Sequence, residues 1–178
     1  LFSGHRVDAP DRPTPRFPAN RIEACHQALR DFIAAENIDV GYSSAANGGD
    51  LIFIDELLQR HGSAHIVLPF AEEQFRNTTL AVGGHGEDQW TEQFDRLVIG
   101  EREGAVLWHA SQSTVDAAGM DPYYAHTNRV ILGMGRLKAK ELDGELVALS
   151  VMEPSDDRSI GGTYAAVNEW RKQRIPNV

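Results

Sequence analysis

The sequence predicts an α/β protein with a mostly parallel sheet covered by helices. Three observations predict it. Short apolar strands alternate with amphipathic helices in the order βαβαβ over residues 1–68, an order that calls for parallel neighbours joined by crossover helices. Strand and helix signals continue to alternate to residue 171, with no internal repeat or heptad run. A loop of small residues, Ser43-Ser-Ala-Ala-Asn-Gly-Gly-Asp50, stands between the second strand and the second helix.

Residues 1–6 read as the last half of a strand running into a loop. Three prolines and alternating charges at 7–17 predict an extended loop. Pro18 suits the first turn of a helix reaching residue 36, with Ile22, Cys25, Leu29, Phe32 and Ile33 on its apolar face. A short strand is expected at 38–42 and a helix at 50–59, burying Leu51, Ile54, Leu57 and Leu58. Gly62 releases that helix into a strand at 65–68. Beyond Pro69 the expected elements are a helix at 72–78, a glycine-rich break at 83–86, a helix at 88–99 and a strand at 104–110. A helix at 123–142 follows, its middle weakened by Gly133 and Gly135, then a strand at 146–152 and a helix from 161 to 171. Together these make a Rossmann-like three-layer fold, expected as a single domain over residues 1–178 that can stand within a longer polypeptide.

A chain of 178 residues that is 42% hydrophobic can bury one sizeable core. The net charge of −9 disfavours general binding to duplex DNA, which needs Lys and Arg to neutralise phosphates. No apolar run reaches the roughly 18 residues of a membrane span, and no signal peptide is visible. A cytoplasmic setting is the expectation. Cys25, the single cysteine, sits on a helical apolar period and reads as a core residue. Seven histidines form no recognisable zinc pattern, so no metal is expected.

Candidate site residues cluster in the loops after strands. A small loop before a helix can bring backbone N–H groups against a phosphate, and side chains at Gly48 and Gly49 would hold a ligand away; the alternative is a tight structural turn. Asp50 can cap its helix, bond a ribose hydroxyl or repel a phosphate. Gly161-Gly162-Thr163 opens the last helix with N–H donors and a hydroxyl. His5 and Arg6 follow the first strand at the carboxyl edge, where open α/β sheets bind ligands. Arg6 can present a planar fork to phosphate. Arg16, Arg76, His109, Tyr123, Tyr124 and Asn128 are weaker candidates, and His85 reads as a loop histidine. The adjacent pairs Glu72-Glu73 and Asp156-Asp157 read as solvated charge, since acid/base chemistry needs opposed carboxylates.

Four segments, Phe2-Ser-Gly-His-Arg6, Ser43-Ser-Ala-Ala-Asn-Gly-Gly-Asp50, His65-Ile-Val-Leu-Pro69 and Gly161-Gly-Thr163, together resemble the SLOG superfamily. That group joins DNA-processing SMF/DprA proteins to LOG-type nucleotide phosphoribohydrolases, and the closer likeness is to members fused to bacterial nucleotide cyclases and signalling modules. The resemblance implies a site for a nucleotide or nucleotide derivative formed by Gly4, Ser43, Gly48, Gly49, Gly161, Gly162 and Thr163. The hydrolase pattern P-G-G-x-G-T-x-x-E is met only in part: Ala166 stands where the catalytic glutamate belongs, and Glu169 lies three residues further on.

The leading expectation is therefore a bacterial ligand-sensing domain that reports nucleotide occupancy to a fused or associated effector domain, with no required cofactor and no assigned catalytic residue. Self-association into a homo-oligomer is also open. N-glycosidic hydrolysis using Glu153 or Glu169 is the enzymatic alternative; DNA handling and a non-binding scaffold rank below it.

Overall fold

The computed structural model describes residues 1–80, 87–100, 102–113, 115–116, 119–153 and 162–178. Among these residues five strands, β1 (Phe2–Gly4), β2 (Val40–Ser43), β3 (Ser63–Leu68), β4 (Ala105–His109) and β5 (Leu149–Val151), pair only in parallel, as β1–β5 and as β2–β3–β4. The two ladders meet where β1 lies beside β2. In register, Phe2 stands opposite Leu149, Tyr42 opposite His65, and His65 opposite Val106. The expected α/β Rossmann-like architecture is thus the observed one.

Helices α1 (Ile22–Ala35) and α2 (Gly49–Gln59) cover one face, while α5 (Met120–Glu141) and α6 (Thr163–Lys172) cover the other. Alternation along the strands sorts the core into two clusters. Phe2, Ala64, Ile66 and Leu68 join the side chains of α1 and α2; Leu1, Tyr42 and Val67 join Ile131, Leu132, Val167 and Trp170. Phe2 and Phe53 stack with centroids 4.4 Å apart, fixing α2 over β1.

Every residue of α2 from Gly49 to Leu58 is buried, which explains its near-continuous apolar sequence. The two acids in the middle of this buried stretch are neutralised by neighbouring elements. Glu56, 1% exposed, accepts hydrogen bonds from Arg30 (2.9 Å) and meets His26 (2.7 Å) on α1. Asp55 accepts from Arg96 (3.3 Å) and Arg102 (3.4 Å).

Two expected helices change pitch before they end. After α3 (Glu72–Phe75) residues Arg76–Leu80 form a wide π turn, and after α4 (Glu87–Phe94) residues Asp95–Ile99 form another. An ion pair between Arg76 and Asp95 joins the two wide turns. The strand expected at 146–152 is shorter because Ala148 pairs instead with the C-terminal segment, its N–H donating to Pro176 O (2.8 Å) and its carbonyl accepting from Val178 (3.0 Å). The glycine-rich break at 83–86, with His85, lies outside the described residues.

α5 runs unbroken through Gly133 and Gly135. A Cβ at Gly135 would stand 2.5 Å from Leu1 Cδ2, so the glycine lets the helix approach the sheet; at Gly133 a Cβ meets nothing within 4 Å. Two substitutions therefore have opposite signs. Gly133→Ala is expected to stabilise the fold by roughly 0.5–1 kcal/mol through helix propensity. Gly49→Ala has the same propensity gain, but its Cβ would sit 2.7 Å from Gly4 Cα, and backbone overlap of this kind costs about 1–3 kcal/mol. Urea midpoints of both variants check the pair: a stabilised Gly49→Ala contradicts the packing described.

Candidate functional site

The carboxyl ends of β1 and β2 and the start of α6 surround an open crevice of about 460 Å³. Its sheet-side wall comes from Gly4 at the end of β1, His5 and Arg6 after it, Ser44 and Ala46 after β2, Asp50 in the first turn of α2, and Gly162 and Thr163 at the head of α6. Ligands of open α/β sheets occupy this position because strand ends and helix N-termini meet there.

Local chemistry builds this wall. The loop after β1 leaves the sheet and returns: Asp8 Oδ2 accepts the N–H of Arg16 and of Phe17, both at 2.7 Å, and Asp8 N–H donates to Phe17 O (2.9 Å). Those bonds close the proline-bearing loop and bring Arg16 back to the crevice beside Arg6. Arg6 is exposed, Arg16 half-buried and His5 buried.

Asp50 links the first two strand ends. Its Oδ1 accepts the Gly4 N–H (2.9 Å) and its Oδ2 accepts the Ala46 N–H (3.2 Å). Burial pushes its carboxyl up to about 7, while the two N–H groups and the Ser43 hydroxyl act in the opposite direction. The acid therefore does more than cap its own helix: it ties the loop after β1 to the loop after β2.

Gly48 and Gly49 serve that same junction. Gly48 has φ +91°, and a Cβ there would meet Val7 N at 2.8 Å and His5 O at 2.9 Å. Gly49 N–H donates to His5 O (3.1 Å), so this donor at the head of α2 is spent on the neighbouring loop. Neither glycine lines the crevice, and Ser43 lies behind it, with Ser44 at the surface in its place. At α6 the geometry is different. Gly162 is an extended N-cap with no side-chain cap bond, and Gly162, Thr163 and Tyr164 line the crevice directly. Gly161 lies outside the described residues, as do Asp156 and Asp157.

The outer wall is made by segments that follow β3 and β4. Thr78 and Thr79 come from the wide turn after α3, and Asp121, Tyr124, Thr127 and Asn128 from the first turns of α5. Tyr124 Oη and Thr79 Oγ1 are hydrogen-bonded (3.0 Å), joining the two segments. The Gln74 amide holds the first of them from behind, accepting from Val115 N–H (2.8 Å) and donating to Val115 O. Sequence reasoning singles out Tyr124 and Asn128 but misses the threonines. Their signal was spacing: Tyr124, Thr127 and Asn128 share one face of α5.

Several other candidates lie elsewhere. Arg76 pairs with Asp95, and His109 faces Glu72 at 3.3 Å. Glu169 bonds Gln173 on the outer run of α6, and Glu153 is exposed; neither lines the crevice. A second groove of about 380 Å³ opens at the amino ends of the strands, but its charged lining is Glu36, Asp39 and Glu145 against Lys138. That balance disfavours anions, whereas the first crevice sets the guanidinium groups of Arg6 and Arg16 against Asp50 and Asp121. Among the described residues no cluster of three His, Cys, Asp or Glu side chains suits a metal ion, and no helix is long and apolar enough to cross a membrane. Comparison with protein-family models, with curated proteins and with solved structures gives no match.

Because the folded protein holds a proton on Asp50 that the unfolded chain releases at the ordinary value of 3.8, this group's contribution to stability is greatest below 3.8 and is lost up to about 7. The loss is up to roughly 1.4 kcal/mol per pH unit in that window. Urea unfolding of wild type and Asp50→Asn at several pH values isolates it. The stability difference between the two is expected to shift against wild type as pH rises towards 7 and then level off; parallel pH profiles contradict it.

Proposed function

We propose that this chain is a ligand-sensing domain of the SLOG type: it binds a nucleotide or nucleotide derivative and reports occupancy to an associated domain or subunit. The observation that carries the reading is the convergence of Gly4-His5-Arg6, Asp50 and Gly162-Thr163 on one crevice at the carboxyl ends of parallel strands. These residues were singled out from separate stretches of sequence.

The chemistry of the walls suits a molecule with an anionic end and a polar, planar end. Arg6, Arg16 and the uncapped head of α6 favour phosphate, which accepts charge-assisted bonds from guanidinium and backbone N–H groups. Tyr124 presents a ring for a ribosylated base, and Thr127 Oγ1, which donates to Tyr123 O (2.8 Å), keeps acceptor capacity beside it. Binding without turnover fits the same walls. The carboxylates considered for hydrolysis, Glu153 and Glu169, do not line the crevice; of the two that do, Asp50 is engaged by two backbone N–H groups and Asp121 stands exposed on the outer wall.

A ligand here would touch the loop after β1, the wide turn at Arg76–Leu80 and α5 together. The wide turn is in turn ion-paired to Asp95–Ile99, beside β4. Occupancy would thereby be felt by segments far apart in the chain, and would be reported to a partner to the extent that the ligand binds one arrangement of them more tightly than another.

Isothermal titration with adenine, guanine, nicotinamide and cyclic dinucleotides tests the reading. Saturable binding of at least one phosphate-bearing compound, with no base released on chromatography, is the expected result. Arg6→Ala and Gly162→Val should each weaken that ligand by about ten-fold or more, as loss of one charge-assisted bond of roughly 1.5–3 kcal/mol implies. The corresponding nucleoside should be affected far less. Equal loss for both forms, or no binding by folded wild type, contradicts the proposal.

A further inference from the structure

We propose that the crevice takes its anionic ligand together with one proton, and that the proton resides on the Asp50 carboxyl. The inference rests on the anion-binding reading above and concerns the regulation of that same site.

Its starting point is a difference among the buried acids. Glu56 is matched by Arg30 and His26, and Asp55 by Arg96 and Arg102. Asp50, 5% exposed and on the crevice wall, is held instead by the N–H groups of Gly4 and Ala46, with Ser43 adjacent. Neutral donors stabilise a carboxylate without cancelling its charge. Burial pushes this carboxyl up to about 7 even with those donors in place. An anion admitted to the crevice adds a like charge beside this buried carboxyl and drives it further towards its protonated form. Above neutral pH, binding must then draw a proton from solvent.

The groups around Asp50 narrow the assignment. From the loops after β1 come His5, Arg6 and Arg16; from the end of β2 come Ser43 and Ser44; from α5, Asp121 and Tyr124; from α6, Thr163 and Tyr164. Arg6 and Arg16 supply the attraction for the anion, and exposed Asp121 stands on the outer wall. Histidine is the other side chain that changes charge near neutral pH, so His5 is the competing acceptor for the proton.

The test uses NAD, ADP-ribose and cyclic di-AMP, whose diphosphate or phosphodiester groups keep their charge across the neutral range. Each is titrated calorimetrically into the folded protein in buffers of different ionisation enthalpy. At about pH 7.5 the binding compound is expected to bring more than about half a proton with it, and its affinity to fall towards ten-fold per pH unit above that. Asp50→Asn should abolish both effects, and His5→Gln should keep them. Since Asn cannot accept both N–H bonds equally well, the carboxyl carbon resonance of Asp50 in wild type supplies a readout that needs no variant. Its titration midpoint should move upward when ligand is added. Binding with no proton uptake, or an unmoved Asp50 midpoint, overturns this inference and leaves the binding reading intact. No binding of any of the three probes from about pH 6 to about pH 8.5 overturns the anion site itself, and this inference with it.

Discussion

The bridge made by Asp50 is the constraint on which the crevice depends. One carboxyl group accepts the N–H of Gly4 at the end of β1 and the N–H of Ala46 after β2, although the backbone ladders run from β1 to β5 and from β2 to β3, with none between β1 and β2 among the described residues. Two separate ladders are thus clasped at their carboxyl ends by a side chain from the helix that connects β2 to β3. The clasp works only because the backbones can touch. Gly4 and Gly49 meet at a distance no Cβ could tolerate, and Gly48 turns the chain with a positive φ directly against residues 5–7. Removing a buried acceptor here would strand two N–H donors, each costing about 1–3 kcal/mol.

From this junction the rest of the site follows in order. Fixing the end of β1 fixes His5 and Arg6, and Asp8 folds the following loop back so that Arg16 joins them. Fixing the head of α2 fixes a helix buried along its length, whose acids are answered by α1 and by Arg96 and Arg102. On the opposite side, the Tyr124–Thr79 bond and the Gln74–Val115 bonds hold the outer wall in place. The inner wall is closely packed backbone. The outer wall is anchored in the main core through Phe75, Leu80 and Tyr124, the Tyr124 ring lying edge-on to Phe70.

Much of the fold was legible because its signals are local. Apolar periodicity located the helices and strands that the structure describes, and the βαβαβ order required parallel pairing. The misreadings arose where distant contacts decided the outcome. Nothing in residues 146–148 announces that Ala148 will pair with the C-terminal segment, and nothing local marks the wide turns at Arg76–Leu80 and Asp95–Ile99, which an ion pair joins across 19 positions. At the site, charge and position after a strand picked out His5 and Arg6, and small-residue loops at helix starts picked out Asp50, Gly162 and Thr163, all on the crevice wall. Gly48 and Gly49 look alike in sequence to a phosphate-cradling pair, yet their small size is used by backbone packing. Thr79 and Thr127 were invisible for the opposite reason: each is an ordinary polar residue in a helical stretch until tertiary packing buries it, at 2% exposure, beside the crevice.

The proposed phosphate-bearing ligand would occupy one crevice, organised by Asp50. Amide resonances followed while a binding nucleotide is titrated into the protein test this most directly. The account predicts that Arg6, Ala46, Thr163 and Asn128 shift along one common saturation curve, with Gly4 included because its N–H is bonded to Asp50. Saturable shifts confined to the groove around Glu36, Asp39 and Glu145, with the amides of residues 4–6 and 162–164 unmoved, would contradict it.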